Sequence, residues 1–308
     1  MAGAAGGRGC RMIRGAQIRD VLDAAHNVLF DCDGVIWNGE AAVAGAPEVV
    51  RLLKRRGKRV FFVTNNCTRP RENYVQKFSR LGFTDVAEEE IFSSAYCSAA
   101  YLRDVAKVQG KVFVIGCPGV LKELQDAGVP VAEQGDEGPD VSVYNLPLDP
   151  DVKAVLVGYD ERFTFMKLAT ACGYLRDAEC LFLATDPDPW HPLRGGRITP
   201  GSGSLTAALE TASSRKATVI GKPSRFMFEC ISSQFDLDPA RSLMVGDRLE
   251  TDVLFGANCG LATMLTLTGV STLEDAHELQ QSESPEKKDC VPDYVVESIA
   301  DFLQALEE

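Results

Sequence analysis

Short apolar runs alternate with amphipathic stretches along most of the chain, the pattern of strand–helix units on a parallel sheet. NVLFDCD (27–33) reads as a first strand, and APEVVRLLKRRG (46–57) as a helix closed by Gly57. RVFFVTNN (59–66) predicts a second strand, RENYVQKFSRLGF (71–83) a helix, and IFSSAYCSAAYLRDV (91–105) one more helix. The alternation returns with ATVIGKPS (217–224), RFMFECISSQF (225–235), SLMVGDR (242–248), ETDVLFGANCG (250–260), ATMLTLTGV (262–270) and VPDYVVESIADFLQAL (291–306). Each strand candidate ends in polar or small residues. In open α/β sheets, ligands bind beyond those carboxyl ends.

The middle third restarts the pattern. GKVFVIGCPGVLKELQDAGV (110–129) and AVLVGYDERFTFMKLATACGYL (154–175) each form one unit, and CLFLATDPDPWHPLRGGRITPGSGSLTAALETA (180–212) reads as a long polar loop followed by a helix. Residues 109–214 therefore predict a self-contained α/β domain inserted between two core segments, 1–108 and 215–308. QGDEGPD (134–140) is expected to be a surface loop inside the insert, and QQSESPEKKD (280–289) a mobile loop before the last strand.

Composition narrows the classes. The 308 residues carry 45% hydrophobic and 25% charged positions with a net charge of -12, the balance of a globular protein that repels a phosphate backbone. Nucleic acid is disfavoured as a partner. No apolar run has the length of a membrane span, and the Arg-containing start lacks the apolar centre of a signal peptide, so no membrane association is expected. The ten cysteines form no C-x-x-C pair and read as free thiols of a cytoplasmic protein. His26 and His277 fall on amphipathic patterns without spaced metal ligands, and the basic KRRGKR (54–59) reads as a solvated helix end. IGKPS (220–224) imitates a P-loop ending, but Pro223 stands where Ser or Thr is required.

The chemistry lies at the strand ends. Asp31 and Asp33 follow the first strand with Gly34 permitting a tight turn; Thr64 and then Asn65 and Asn66 follow the second. Lys222 and the pair Gly246–Asp247, with Asp252 five residues on, come later. Singly, each is an ordinary turn or cap. Together they offer carboxylates for a cation and a nucleophile, plus a hydroxyl and an ammonium for phosphoryl oxygens. Phosphomonoester hydrolysis needs accelerations of up to ~10²¹, whereas one acid–base group supplies ~10²–10⁴, so several devices must act together.

DCDGV (31–35), Thr64, Lys222 and GDRLETD (246–252) resemble the four motifs of the haloacid dehalogenase-like hydrolases. The resemblance implies a Rossmann-like, doubly wound parallel-sheet core. It implies Asp31 as nucleophile forming an aspartyl-phosphate, and Asp33 as the acid that protonates the leaving oxygen and then activates water. Thr64 and Lys222 would hold phosphoryl oxygens. Mg²⁺ would be bound by Asp31, the Asp33 carbonyl and Asp247, with Asp252 as an outer partner. Members that cleave carbon–halogen bonds lack the second acid, so Asp33 implies a phosphatase. About 158 residues separate Thr64 from Lys222, which places the insert as the C2-type cap domain of that family.

The whole chain is similar to the vertebrate group of this family that acts on pyridoxal 5′-phosphate and on phosphoglycolate. ATDPDPWHPL (184–193) and GSLTAALETASSRKA (203–217) are more like the former. By that resemblance Tyr159 and His191 would sandwich a pyridine ring, Asn65 and Asn66 would line the substrate site, and GSGSLTAALETA (201–212) would join two caps in a homodimer. The basic run the family carries after the two asparagines is here Cys67-Thr68-Arg69, which removes one expected cation. Phosphoglycolate, and a phosphoserine protein, remain alternative substrates for the same chemistry.

Overall fold

The computed structural model describes residues 9–133 and 142–307. The expected loop at 134–140 lies outside the described residues. The chain divides into two compact units: Met1–Thr64, Glu72–Phe92 and Lys222–Glu308 form one, Asn65–Arg71 and Ser93–Gly221 the other. The insert inferred from spacing, 109–214, is wider here at both ends. The helix beginning at Ser94 packs with helix Pro118–Asp126, and strand Thr218–Val219 pairs with Leu183–Ala184, so both flanks belong to the second unit.

The first unit carries a seven-stranded sheet in the order Arg11–Met12, Tyr294–Val296, Ala262–Thr266, Ser242–Gly246, Asn27–Phe30, Arg59–Thr64, Ile91–Ser93. The pairings from Arg11–Met12 through to Arg59–Thr64 are all parallel. Asn27–Phe30 is buried at every position, as a central parallel strand covered on both faces must be. Its neighbours are Arg59–Thr64 on one side and Ser242–Gly246 on the other, so the chain order reverses at this strand and opens a crevice at its carboxyl end.

Alternating side chains feed two cores. Val28, Phe30, Val245, Met264 and Val296 face a cluster with Ile18, Leu22, Val49, Leu53 and Phe302. Leu265 and Val295 face the opposite one, with Leu249, Val253 and Ala276. Helix Ala46–Arg55 shows the local logic: Val49, Val50 and Leu53 bury one stripe, Pro47 sits at its start, and Lys54 and Arg55 occupy the last turn. Gly57 then takes φ 75, which ends the helix as its position in the sequence predicts.

The second unit has a four-stranded parallel sheet, ordered Thr218–Val219, Leu181–Ala184, Val152–Val157, Lys111–Ile115, with helices Pro118–Asp126, Phe165–Leu175 and Ser202–Ser213.

Three expectations change. Residues 91–93 form a strand rather than the start of a helix, with Ser93 then capping Tyr96 N–H at 3.1 Å. The polar loop after Ala184 holds an antiparallel hairpin, Trp190–Pro192 with Ile198–Pro200. The segment expected to be mobile, 280–289, includes the helical turn Pro285–Lys288 and is followed by a buried Cys290. All ten cysteines are free, and His26 and His277 are exposed. Among the described residues, no helix is long and apolar enough to cross a membrane.

Candidate active site

The Asp31 N–H still donates to Val245 O at 2.9 Å, so the backbone stays in the ladder one residue beyond the strand. The chain then coils tightly, with Ile36 N–H and Trp37 N–H both donating to the Cys32 carbonyl at 3.0 and 3.2 Å. Gly34 makes this possible. Its φ is 89, and a Cβ there would lie 2.4 Å from Asp247 Oδ2. A Cβ on Gly269 would come closer still, 1.8 Å from the same oxygen. Two bare backbone positions therefore cradle the Asp247 carboxylate, which accepts the Val270 N–H at 2.8 Å.

Lys222 is the hub. Its buried ammonium donates to Asp31 Oδ1 at 2.5 Å, Asp252 Oδ1 at 2.6 Å and the Val63 carbonyl at 2.7 Å, using all three donors. Asp252 Oδ2 accepts the N–H groups of Asp247 and Arg248 at 3.2 and 3.0 Å. Both oxygens of Asp252 are thus committed to protein donors. It holds Lys222 in place and fixes the start of the turn that carries Asp247.

The charges here do not cancel. Asp31, Asp247 and Asp252 offer ligand oxygens within 4.8 Å of one another, against the single ammonium of Lys222. Burial pushes the Asp31 carboxyl well above its usual range; Lys222 pulls it back, and Asp252 and Asp247 push it further up. Asp247 is raised to about 7, first by burial and then by the Asp252 charge. Burial alone would lower the Lys222 ammonium, but Asp252 and Asp31 outweigh it and its acidity is suppressed. Crowded carboxylates lined by oxygen donors suit a small hard divalent cation, which would lower all their proton affinities at once. The residues present fit such an ion: Asp247 sits in a cradle that any Cβ would fill.

Asp33 is half-buried, and its Oδ1 accepts the indole N–H of Trp37 at 3.0 Å. The indole is fixed in turn by Phe78 edge-on at 4.8 Å, by Tyr74 stacked at 6.2 Å, and by the Lys77 ammonium 4.0 Å above the ring. Trp37 lies outside DCDGV and the other three motifs, so the motif pattern gives it no role. The signal available was a buried-type aromatic donor one helical turn beyond an acid. Thr64 is the last residue of its strand, fully buried, next to the Val63 carbonyl that Lys222 holds.

The two asparagines bond to residues of the second unit. Asn66 Oδ1 accepts both the backbone N–H and the hydroxyl of Thr68, at 3.0 and 2.6 Å, so its carboxamide oxygen shapes the loop. The Asn65 carbonyl accepts the Ser94 hydroxyl at 2.7 Å. Both belong to the second unit.

Tyr159 and His191, also in the second unit, do come together. Their ring centroids are 5.9 Å apart, but at 66° they meet edge to face. A third ring held between two parallel ones needs ~7–8 Å, twice a van der Waals contact. The pair is therefore closed on itself as it stands, and the expected sandwich requires the hairpin that carries His191 to open.

Comparison with known proteins follows the same lines. A family model described as haloacid dehalogenase-like hydrolase matches residues 28–130, and a second, HAD-hydrolase-like, matches 219–302. The chain is 54% identical to mouse chronophin over 97% of its length and 99% of the relative. It is 48% identical to chicken glycerol-3-phosphate phosphatase over 99% of both. Among solved structures it is similar to a 4-nitrophenylphosphatase from Thermotoga maritima, with TM-score 0.75, 30% identity, and 92% and 97% of the two chains covered. It is also similar to a glycerol phosphate phosphatase from Mycobacterium tuberculosis in complex with magnesium, with TM-score 0.74, 26% identity, and 94% and 78% covered.

Proposed function

The chain belongs to the haloacid dehalogenase-like hydrolases and is a phosphatase of that family. From this premise we propose that it hydrolyses a small phosphomonoester with Mg²⁺, through a phosphorylated Asp31, and that pyridoxal 5′-phosphate is its substrate. The observation that carries the chemistry is the Lys222 ammonium bound to Asp31 Oδ1 and anchored from behind by Asp252. It leaves Asp31 Oδ2 as the attacking atom and sets its direction.

The residues divide the work. Asp31 attacks phosphorus and forms the acyl phosphate. Asp33, oriented by Trp37, gives its proton to the departing alkoxide and then takes one from the water that cleaves the acyl phosphate. Thr64 holds a phosphoryl oxygen, and the Lys222 ammonium, whose three donors are taken by Asp31, Asp252 and Val63, offsets phosphoryl charge as it shifts during the transfer. Asp31, Asp247 and the Asp33 carbonyl would hold Mg²⁺, which when bound neutralises phosphoryl charge and keeps the crowded carboxylates ionised. Asp252 acts by holding Lys222.

Support for pyridoxal 5′-phosphate comes from ATDPDPWHPL and from the two aromatic groups, Tyr159 and His191, whose ring contacts contribute roughly 0.5–1.5 kcal/mol beyond burial. The closed, edge-to-face arrangement of that pair favours a second reading, a three-carbon phosphate without a ring, in keeping with relatives named glycerol-3-phosphate phosphatase. The test compares kcat/KM for pyridoxal 5′-phosphate, 2-phosphoglycolate and glycerol 3-phosphate. A preference for either ringless substrate would sink the first reading. Asp31→Asn should abolish turnover with folding intact, because a carboxamide is a poor nucleophile; appreciable Mg²⁺-dependent hydrolysis by that variant overturns the nucleophile. A homodimer through helix Ser202–Ser213 is part of the same proposal, and sedimentation as a monomer with full substrate preference would remove it.

A further inference from the structure

Two thiols lie close together in the second unit, and neither belongs to the motif residues described above. Cys67 is buried in the loop Asn65–Arg71, and half-buried Cys117 directly precedes helix Pro118–Asp126. The helix comes flush against the loop because residue 119 has no side chain. A Cβ on Gly119 would sit 2.6 Å from the Cys67 carbonyl oxygen and 2.7 Å from the Arg69 nitrogen. This approach brings Cys117 Sγ to 3.2 Å from the Cys67 carbonyl, to which its S–H donates. Beneath it, Cys67 Sγ accepts the Tyr159 N–H at 3.4 Å and lies against Gly158, where a Cβ would be 3.3 Å away. Any bulk at 119 or 158 would push the two sulfurs' neighbours apart.

Once ionised, the Cys117 sulfur can accept from the Cys67 thiol, the largest influence drawing its pKa down to about 7; burial opposes it, and the N–H groups of Val120 and Gly119 at the helix start assist. The same bond, with burial, holds the Cys67 thiol well above its usual range. Burial pushes Cys10, Cys32, Cys172, Cys180 and Cys259 upward as well. Half-buried Cys117 is thus the more acidic thiol of the two.

We propose that Cys117 and Cys67 are a reversible redox pair, Cys117 the sulfur that reacts with peroxide and Cys67 the thiol that resolves it. The Cys117 thiolate attacks one oxygen of hydrogen peroxide, the O–O bond breaks, and hydroxide leaves, giving Cys117 sulfenic acid. The Cys67 sulfur then attacks the sulfenic sulfur. Its proton and the sulfenic hydroxyl depart as water, and a disulfide remains. Two electrons pass from the two thiols to peroxide, and an external dithiol reverses the step. The disulfide would tie the loop that begins directly after Thr64 to the start of a helix of the second unit.

The experiment uses the full, reduced chain titrated with hydrogen peroxide, quenched by alkylation and mapped by mass spectrometry. The Cys67–Cys117 peptide pair should appear before any other oxidation and vanish on treatment with dithiothreitol. Cys67→Ser should instead accumulate Cys117 sulfenic acid, trapped by dimedone, while Cys117→Ser leaves Cys67 reduced at the same dose. Oxidation of other cysteines first, or dimedone trapping of Cys117 in the unaltered chain, overturns the pair. The unaltered chain alone decides the question if either variant fails to fold.

Discussion

Lys222→Met removes the one positive charge among three buried carboxylates while keeping side-chain length. Lys222 is 1% exposed and bonds to two carboxylates and a carbonyl, so its loss takes a charged donor from three buried acceptors at once. Removing one partner of a buried ion pair costs ~3–5 kcal/mol, a large share of the ~5–15 kcal/mol that holds a native protein together. The carboxylates can limit the loss by taking up protons. Asp31 is already raised by burial, and Lys222 is the strongest influence opposing that rise, so the variant raises it further. A carboxyl raised in the folded state is at no disadvantage below the unfolded value of ~3.9, and it loses stability as pH climbs toward its folded value. Each extra proton held by the folded state tilts stability by about 1.4 kcal/mol per pH unit.

The deficit of the variant should therefore be small near pH ~4 and grow to ~3–5 kcal/mol toward neutrality. Urea unfolding with chelator present measures it. The chain has two tryptophans, and Trp37 is buried in the first unit, so its fluorescence in a Trp190→Phe background reports the unit that holds Lys222. A deficit under ~1 kcal/mol at neutral pH, or one that is equal at both ends of the range, refutes the role of Lys222 as counter-charge. Activity of the same variant should fall by at least ~10²-fold, the scale of one lost oxyanion donor.

Three further outcomes follow from the site. Asp33→Asn should lower kcat by ~10²–10⁴ for an alkyl phosphate and by much less for 4-nitrophenyl phosphate, whose leaving group needs no proton; equal losses on both would remove the general-acid role. Gly34→Ala places a methyl 2.4 Å from Asp247 Oδ2 at φ 89, so it should weaken Mg²⁺ activation and lower stability by ~1–2 kcal/mol, read from the Mg²⁺ dependence of kcat and from melting. His191→Ala should raise KM for pyridoxal 5′-phosphate roughly 2- to 13-fold, the worth of one ring contact, and leave 2-phosphoglycolate unchanged. Equal effects on the two substrates would mean that His191 shapes its hairpin and touches no ring.

The reaction was legible from the chain because it depends on residue types at strand ends. Asp31 and Asp247 follow, and Thr64 ends, three neighbouring parallel strands, and parallel strands put their carboxyl ends on one edge wherever the sheet forms. Local pattern also gave the helix stops, as at Gly57. It failed where a partner distant in sequence decides. Ile91–Ser93 extends because it adds to the edge of a sheet, against a run of small residues that otherwise reads as helix. Thr218–Val219 precedes the Lys222 motif yet pairs with Leu183–Ala184, so its sheet could not be assigned from its own residues.

The sequence by itself determined the fold class, the acids and the lysine, since apolar periodicity and motif spacing are properties of the chain alone. Only the tertiary structure decided what each group is bonded to. It makes Lys222 a bridge between Asp31 and Asp252, gives Asp33 its indole donor, turns Asn66 toward its own loop, and closes Tyr159 upon His191. It also sets Cys117 beside Cys67, fifty positions apart in sequence, through the missing side chain of Gly119. The reason is physical: a hydrogen bond or a proton affinity is set within a few ångströms, and burial that no local pattern encodes fixes how strongly each charge is felt.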